Sequence, residues 1–213
     1  EALKGIDCII NLAGSGIADQ RWTKQRKRDL IESRTHSIRT IYKALQTSTH
    51  QVKTFISASA IGYYGDEPHI WQTEDAAAGK DFLSHCCQLW EAETDTISTL
   101  GIHTCKLRIG TVLSKKGGAL SKLKLPIQYY AAAALGTGQQ WISWIHIDDL
   151  CNLFIYTMEQ QLEGVYNAVS PHPISNKALT QSIAKKLNRP YFLPNIPASI
   201  LYLFLGEMST VVL

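Results

Sequence analysis

The sequence predicts an α/β fold built around a parallel sheet, and three observations predict it. Strand-like and helix-like patterns alternate along the chain from Cys8 onward, as they do where crossover helices join parallel strands. The stretch Phe55-Ile-Ser-Ala-Ser-Ala-Ile-Gly-Tyr-Tyr-Gly65 reads as a strand covered on both faces that delivers two hydroxyls and an aromatic pair into a glycine-ended turn. A chain of 213 residues with 45% hydrophobic content is long enough to bury one such core and carry a smaller appendage.

The elements follow in order. Cys8 to Leu12 is the first strand and closes on Ala13-Gly14. A polar loop leads to a long helix from about Thr23 to Thr47, where Leu30, Ile31, Ile38, Ile41, Tyr42 and Leu45 are spaced to form one apolar stripe. Phe55 to Ala58 is the second strand. The segment Gly65 to Lys80, rich in Gly, Pro, Asp and Ala, is long enough to cover a site rather than merely connect two elements. Phe82 to Leu100 reads as helix and His103 to Leu113 as a strand ending at Gly110; Gly136-Thr-Gly138 is a turn. The last third changes character, with a strand at Gly164 to Ala168, an amphipathic helix at Asn176 to Leu187, and a proline-spaced segment, Pro190 to Pro197, before a final apolar helix. This divides the chain into residues 1–160, the sheet domain, and 161–213, a smaller lobe.

Composition excludes several classes. A net charge of +3 does not by itself imply a nucleic-acid partner. The one concentrated basic run, Arg21 to Arg28, opens a helix and meets Asp29 and Glu32, as solvated helix faces do. No run of eighteen apolar residues is present, so no membrane span is expected. Five cysteines without CxxC spacing suit a reducing cytoplasm, and no group of His, Cys and carboxylates has metal-ligand spacing. Ser59 lacks the GxSxG setting of a hydrolase nucleophile.

The segments Ile9-Ile-Asn-Leu-Ala-Gly14, Phe55 to Gly65 and Trp141-Ile-Ser-Trp-Ile-His-Ile-Asp-Asp-Leu150 together resemble the extended short-chain dehydrogenase/reductase superfamily, the NAD-dependent epimerases and dehydratases. More narrowly, the chain is similar to the atypical, YfcH-like group of epimerase family proteins. The resemblance implies a Rossmann-type doubly wound sheet, a smaller C-terminal substrate-side lobe, and NADP or NAD as cofactor. A complete fold of this kind opens with a strand, a Gly-rich turn and a helix, yet no GxxGxxG occurs and the first strong element is already the Cys8 strand. On the order of 50 to 60 residues are therefore expected to precede Glu1. The apolar ending Val211-Val-Leu213 is read as a second truncation.

The same resemblance assigns residues. The cofactor is expected against Ala13, Gly14 and Ser15, beside Ser57 and Ala58, and along Ile109, Gly110 and Thr111. Arg21 follows the Gly14 turn closely enough to reach a phosphate, and its planar fork of donors suits one. Gly14, Ser59 and Gly110 are expected on one crevice, since parallel strands place their carboxyl ends on one edge. Ser59 matches the family's active-site serine; Tyr64, Trp144 and His146 are candidate substrate contacts, with Asp148 or Asp149 capping the next helix. The chain departs from the family where it matters most. The Tyr and Lys of the acid/base pair fall at Leu83 and Cys87, and no YxxxK occurs anywhere. Tyr63 and His85 are the remaining proton carriers. The function expected is an oxidoreductase or nucleotide-sugar-epimerase-like isomerase acting on a small carbonyl or alcohol substrate. The rival reading is a dinucleotide-binding module without catalysis.

Overall fold

The computed structural model describes residues 3–66 and 70–213. Along the chain run β1 (Cys8–Asn11), α1 (Lys24–Thr47), β2 (Thr54–Ala60), a 3₁₀ turn (Ile61–Tyr64), α2 (Phe82–Ser98), β3 (His103–Ile109), β4 (Thr111–Ser114), β5 (Gly117–Gly118) and α3 (Ala119–Gln128). They are followed by β6 (Trp141–Ile142), β7 (Trp144–His146), α4 (Ile147–Glu159), β8 (Gly164–Ala168), β9 (Ile174–Ser175), α5 (Asn176–Lys186), α6 (Ala198–Leu205) and a closing 3₁₀ turn (Gly206–Val211). Two compact units result. One comprises Glu1–Ile17, Lys24–Ile109 and Asp148–Ala168; the other comprises Ala18–Thr23, Gly110–Ile147 and Val169–Leu213.

The first unit holds a four-stranded sheet in the order β1-β2-β3-β8, with every neighbouring pair parallel. All four carboxyl ends therefore lie on one edge. Ile38 and Leu45 of α1, Phe55 and Ala58 of β2, and Trp90 and Ile97 of α2 form one apolar core, which Ile9 and Ile109 border. Burial of this kind is the main favourable contribution to folding, at about 25 cal/mol per Å² of apolar surface. Asp81 caps α2, its carboxylate accepting from the Ser84 amide at 2.8 Å, which satisfies one of the helix's open N–H groups.

The second unit is built from short pieces. A three-stranded sheet runs β5-β4-β7, and β6 pairs antiparallel with β9. Its core gathers Ile127, Ala132, Leu179, Ile183 and Ala184, with Leu120 and Leu123 of α3 and Ile142 against it. The segment His103 to Leu113, read as a strand ending at Gly110, forms β3 up to Ile109 and then the separate β4, with the junction at Gly110. There the Ser143 carbonyl approaches so closely that a methyl on Gly110 would stand 2.6 Å from its oxygen. The Thr111 amide donates to that same carbonyl at 2.8 Å, which fixes the change of direction.

Candidate functional site

The carboxyl edge of the first unit's sheet carries a continuous polar row. Ser59 of β2 stands in register with Arg108 of β3, and Arg108 with Asn167 of β8. Strand geometry sends residues of one register row to the same face, and here that face meets α2. On α2, Glu91 and Asp95 lie one turn apart; on β3, Lys106 and Arg108 lie two residues apart. The helical and strand periods thus align two ion pairs. Lys106 Nζ meets Asp95 at 2.5 Å, and Arg108 Nε and Nη2 grip the two oxygens of Glu91 at 2.9 Å each.

Glu91 also accepts from Ser59 Oγ at 2.6 Å. Ser59, Glu91 and Arg108 are only 3%, 6% and 3% exposed. The remaining Arg108 nitrogen, Nη1, donates to the Tyr64 hydroxyl at 2.9 Å and to the Glu74 carbonyl at 3.0 Å; Tyr64 in turn donates to Asn167 Oδ1 at 2.6 Å. The Tyr63 ring lies 3.5 Å from the guanidinium carbon, a cation–π contact that holds this half-buried phenol against the row. Burial works to lower the Arg108 pKa, but its bonds to Glu91 and Tyr64 outweigh that and raise it, so the guanidinium is permanently charged.

The segment read as a cover does lie over this row where it is described. The Asn167 amide donates to Glu74 Oε1 at 2.8 Å, and its side chain donates to the Gln72 carbonyl at 3.3 Å. Residues 67–69 of the segment lie outside the described residues.

At the β1 exit, Ala13 and Gly14 are exposed. Asn11 accepts from the Ala13 amide at 3.3 Å, while its own Nδ2 is buried without a partner. Ser15 donates its amide to Ser33 Oγ at 3.0 Å and offers its carbonyl to Arg34 Nη2 at 3.1 Å, which leaves its hydroxyl for other contacts. An open turn beside an unpaired amide donor fits a nucleotide at this edge. Ser57 and Ala58 are buried within the sheet, and the Ser57 hydroxyl donates to the Ala58 carbonyl at 2.9 Å.

On α2, Leu83 and Cys87 face the 3₁₀ turn: a methyl on Gly62 would stand 3.4 Å from Leu83 Cβ and 4.0 Å from Cys87 Sγ. Burial first, then the nearby Cys86 and Glu91, push the Cys87 thiol up to about 12. It is neutral at physiological pH and does no thiolate chemistry. His85 is exposed on the same helix and stands outside the buried row.

Of the other candidates, Ile109, Asp148 and Asp149 belong to the first unit, and Arg21, Gly110, Thr111, Trp144 and His146 to the second. Arg21 is exposed and donates to the Leu203 carbonyl at 3.3 Å, and its guanidinium lies along Gly206. Gly110 and Thr111 form the junction at Ser143, and Trp144 Nε1 donates to the His172 carbonyl at 3.0 Å. His146 ends β7, and Asp148 and Asp149 sit in the first turn of α4, where carboxylates favour the helix dipole. Among the described residues, no group of three His, Cys, Asp or Glu is placed to hold a metal, and no helix is long and apolar enough to cross a membrane.

Reading by motif missed Glu91, Asn167, Glu74 and Arg34. The signal for Glu91 was available: two cationic residues alternate inside an otherwise apolar strand, and buried charges are paired. Carboxylates at i and i+4 on the preceding helix are the matching partners.

Similar proteins carry the same architecture. The chain is 39% identical over 214 residues to the epimerase family protein YfhF of Bacillus subtilis, a match covering 100% of this chain and 70% of that protein. The crystal structure of the human epimerase family protein SDR39U1, isoform 2, with NADPH superposes with a TM-score of 0.89 at 26% identity, covering 99% of this chain and 72% of that one. A nucleoside-diphosphate sugar epimerase from Corynebacterium glutamicum superposes at 0.75 with 31% identity, covering 98% and 46%. The profile of the NAD dependent epimerase/dehydratase family matches residues 1–169, the parallel sheet and its polar row included, and the chain belongs to that family.

Proposed function

We propose that the chain binds a nicotinamide dinucleotide, NADP(H) in preference to NAD(H), at the carboxyl edge of its parallel sheet. There it works as an oxidoreductase or nucleotide-sugar-epimerase-like isomerase on a small carbonyl or alcohol substrate. The observation that carries the reading is the arrangement of the exits of β1, β2, β3 and β8, with an open turn at Ala13–Gly14 and the row Ser59, Arg108, Asn167 beside it. Ligands of open α/β sheets bind at such an edge. NADPH in the human relative and the sugar-nucleotide name of the bacterial one support the cofactor and the substrate class. Five free cysteines suit the cytoplasm.

When bound, the dinucleotide supplies or accepts a hydride. The chain's residues do the rest. Ala13, Gly14 and the Ser15 hydroxyl line the β1 exit, and Asn11 Nδ2 is the donor available to a nucleotide there. Ser59 commits its proton to Glu91, so it meets a ligand through its lone pairs. It orients a substrate hydroxyl rather than polarising a carbonyl. Proton transfer falls to Tyr63, held under Arg108, or to His85, because Leu83 has no proton to give and Cys87 stays neutral. The same commitment of Ser59 favours a second reading, a dinucleotide-binding module without catalysis.

Deuteride transfer separates them. The protein is incubated with 4-deuterated NADPH and a panel of carbonyl compounds and sugar nucleotides, and products are read by mass spectrometry. Label in a product supports the enzyme. Tight NADPH binding with neither transfer across the panel nor isomerisation of any sugar nucleotide in the presence of the oxidised cofactor supports the module, and absence of NADPH binding overturns both.

A further inference from the structure

Gly14 does not need to be glycine for its backbone, since its φ lies outside the left-handed region. What fills the space beside it is Arg34. A methyl on Gly14 would stand 3.2 Å from both Cγ and Cζ of Arg34 and 3.4 Å from Nε, so the arginine lies along the turn where a side chain would be. That arginine cannot step aside cheaply. Nη1 donates to the Leu30 carbonyl at 2.8 Å, Nη2 donates to the Ser15 carbonyl at 3.1 Å, and the guanidinium stacks over the Trp90 ring at 5.0 Å. Ser33 completes the clasp: its hydroxyl accepts from the Ser15 amide at 3.0 Å and donates to the Leu30 carbonyl at 3.1 Å. Both backbone polar groups of Ser15 are thus tied to α1, by two consecutive residues of that helix.

We propose that Gly14 is small in order to admit Arg34, and that Arg34 is a positioning residue which holds the Ala13–Ser15 turn in the shape that receives the dinucleotide. The second half rests on the function proposed above. On the alternative account, glycine is there so that the ligand itself can approach the backbone. The two accounts differ in whether Gly14 and Arg34 are coupled.

The test is a double-mutant cycle of Gly14→Ala and Arg34→Ala, read by NADPH titration and, without ligand, by thermal melting. Gly14→Ala alone should weaken NADPH about tenfold and lower the Tm, as expected for residues in direct contact. In the Arg34→Ala background, the same alanine should change neither quantity. Equal losses in both backgrounds would overturn the proposal and return Gly14 to direct ligand approach. Arg34→Lys reaches one carbonyl but lacks the fork that holds two, so it should regain Tm while NADPH stays weak. Joint recovery of Tm and affinity would reduce Arg34 to a stability role. If the unaltered protein fails to bind NADPH, the proposed function falls, and the melting cycle still decides whether Gly14 is small because of Arg34.

Discussion

The two units stabilise themselves by different means. Among the described residues, the buried charged side chains, Glu91, Lys106 and Arg108, all belong to the first unit, where β3 of a regular sheet packs against α2. The second unit buries an apolar cluster on short strands and helices. Its α6 buries no residue, and Leu203 and Phe204 on it are 71% and 72% exposed. A buried ion pair is an uncertain source of stability, because desolvating both charges offsets much of their attraction; what it does provide is one defined arrangement of partners. In the first unit that arrangement fixes Ser59, Tyr63, Tyr64 and the Gln72–Glu74 segment around a single guanidinium. The difference teaches where this chain requires geometry rather than mere compactness.

The largest expected effect breaks that row. Arg108→Ala leaves Glu91 buried with only Ser59 as a donor and should destabilise the first unit by about 3–5 kcal/mol. Replacing both partners, as Arg108→Met with Glu91→Leu, should recover most of that loss while disordering Tyr63. Urea unfolding of the two variants measures both. For contrast, Leu179→Ala in the second unit's core should cost about 2–4 kcal/mol, with no comparable rescue by a polar partner. If the double replacement is no more stable than Arg108→Ala, the row is held by more than its charges.

Next come the close-packed glycines. A methyl on Gly79 would meet Ser84 Oγ at 2.5 Å and the Gly65 Cα and Tyr64 carbonyl at 2.7 Å, all of them backbone or anchored atoms. Gly79→Ala should therefore cost about 1–3 kcal/mol by overpacking and loosen the segment over the row. Gly110→Ala, pressed against Ser143 in the second unit, should cost a similar amount. Protease sensitivity of residues 70–80 should rise in the first variant and not in the second.

Alkaline pH offers a smaller, graded test. Burial pushes both Cys87 and Cys105, in α2 and β3, up to about 12 from the ordinary 9.0. Between those values the unfolded chain releases thiol protons that the folded chain retains, so the folded state binds more protons and stability falls as pH rises. Each cysteine contributes a slope of up to about 1.4 kcal/mol per pH unit in that window. Below pH 9 the contribution is fully present. Cys105→Ala should flatten the decline of Tm between pH 9 and 11, and the same slope in variant and parent would remove burial of this thiol as the cause.

Much of this was legible from residue patterns, for physical reasons that also mark the limits. β8 runs from Gly164 to Ala168 as its flanking glycine and apolar alternation require, and α1 begins at Lys24, one residue from the expected start. Parallel order followed from the alternation of elements. The end of β3 at Gly110 was legible from the glycine, but the separate β4 beyond it was not, because apolar residues continue through the junction and the approach of Ser143 comes from more than thirty residues away in sequence. α3 carries Pro126 inside it and has too short an apolar pattern to declare itself. In the candidate site, motif resemblance located Ser59, Tyr63, Tyr64 and the Gly14 turn, all in the first unit. It could not show that Ser59 donates to Glu91, nor that Arg34 lies along Gly14, since both depend on how helices face a sheet rather than on any local run of residues.

The smallest structural change in the row is the most informative functionally. Ser59→Ala removes one of three donors to Glu91 and leaves the two from Arg108, so it should cost only about 1 kcal/mol in stability and leave NADPH affinity nearly unchanged. If Ser59 orients a substrate hydroxyl, turnover with any substrate found by deuteride transfer should fall through kcat, and oxidation of alcohols should suffer more than reduction of carbonyls, because only the alcohol has a proton to donate to the serine oxygen. A serine that merely props Glu91 would change Tm and leave the ratio of the two directions at saturating substrate untouched. Steady-state kinetics run in both directions on the parent and on Ser59→Ala distinguish these outcomes, and an unchanged ratio would place Ser59 with the scaffold of the row rather than with its chemistry.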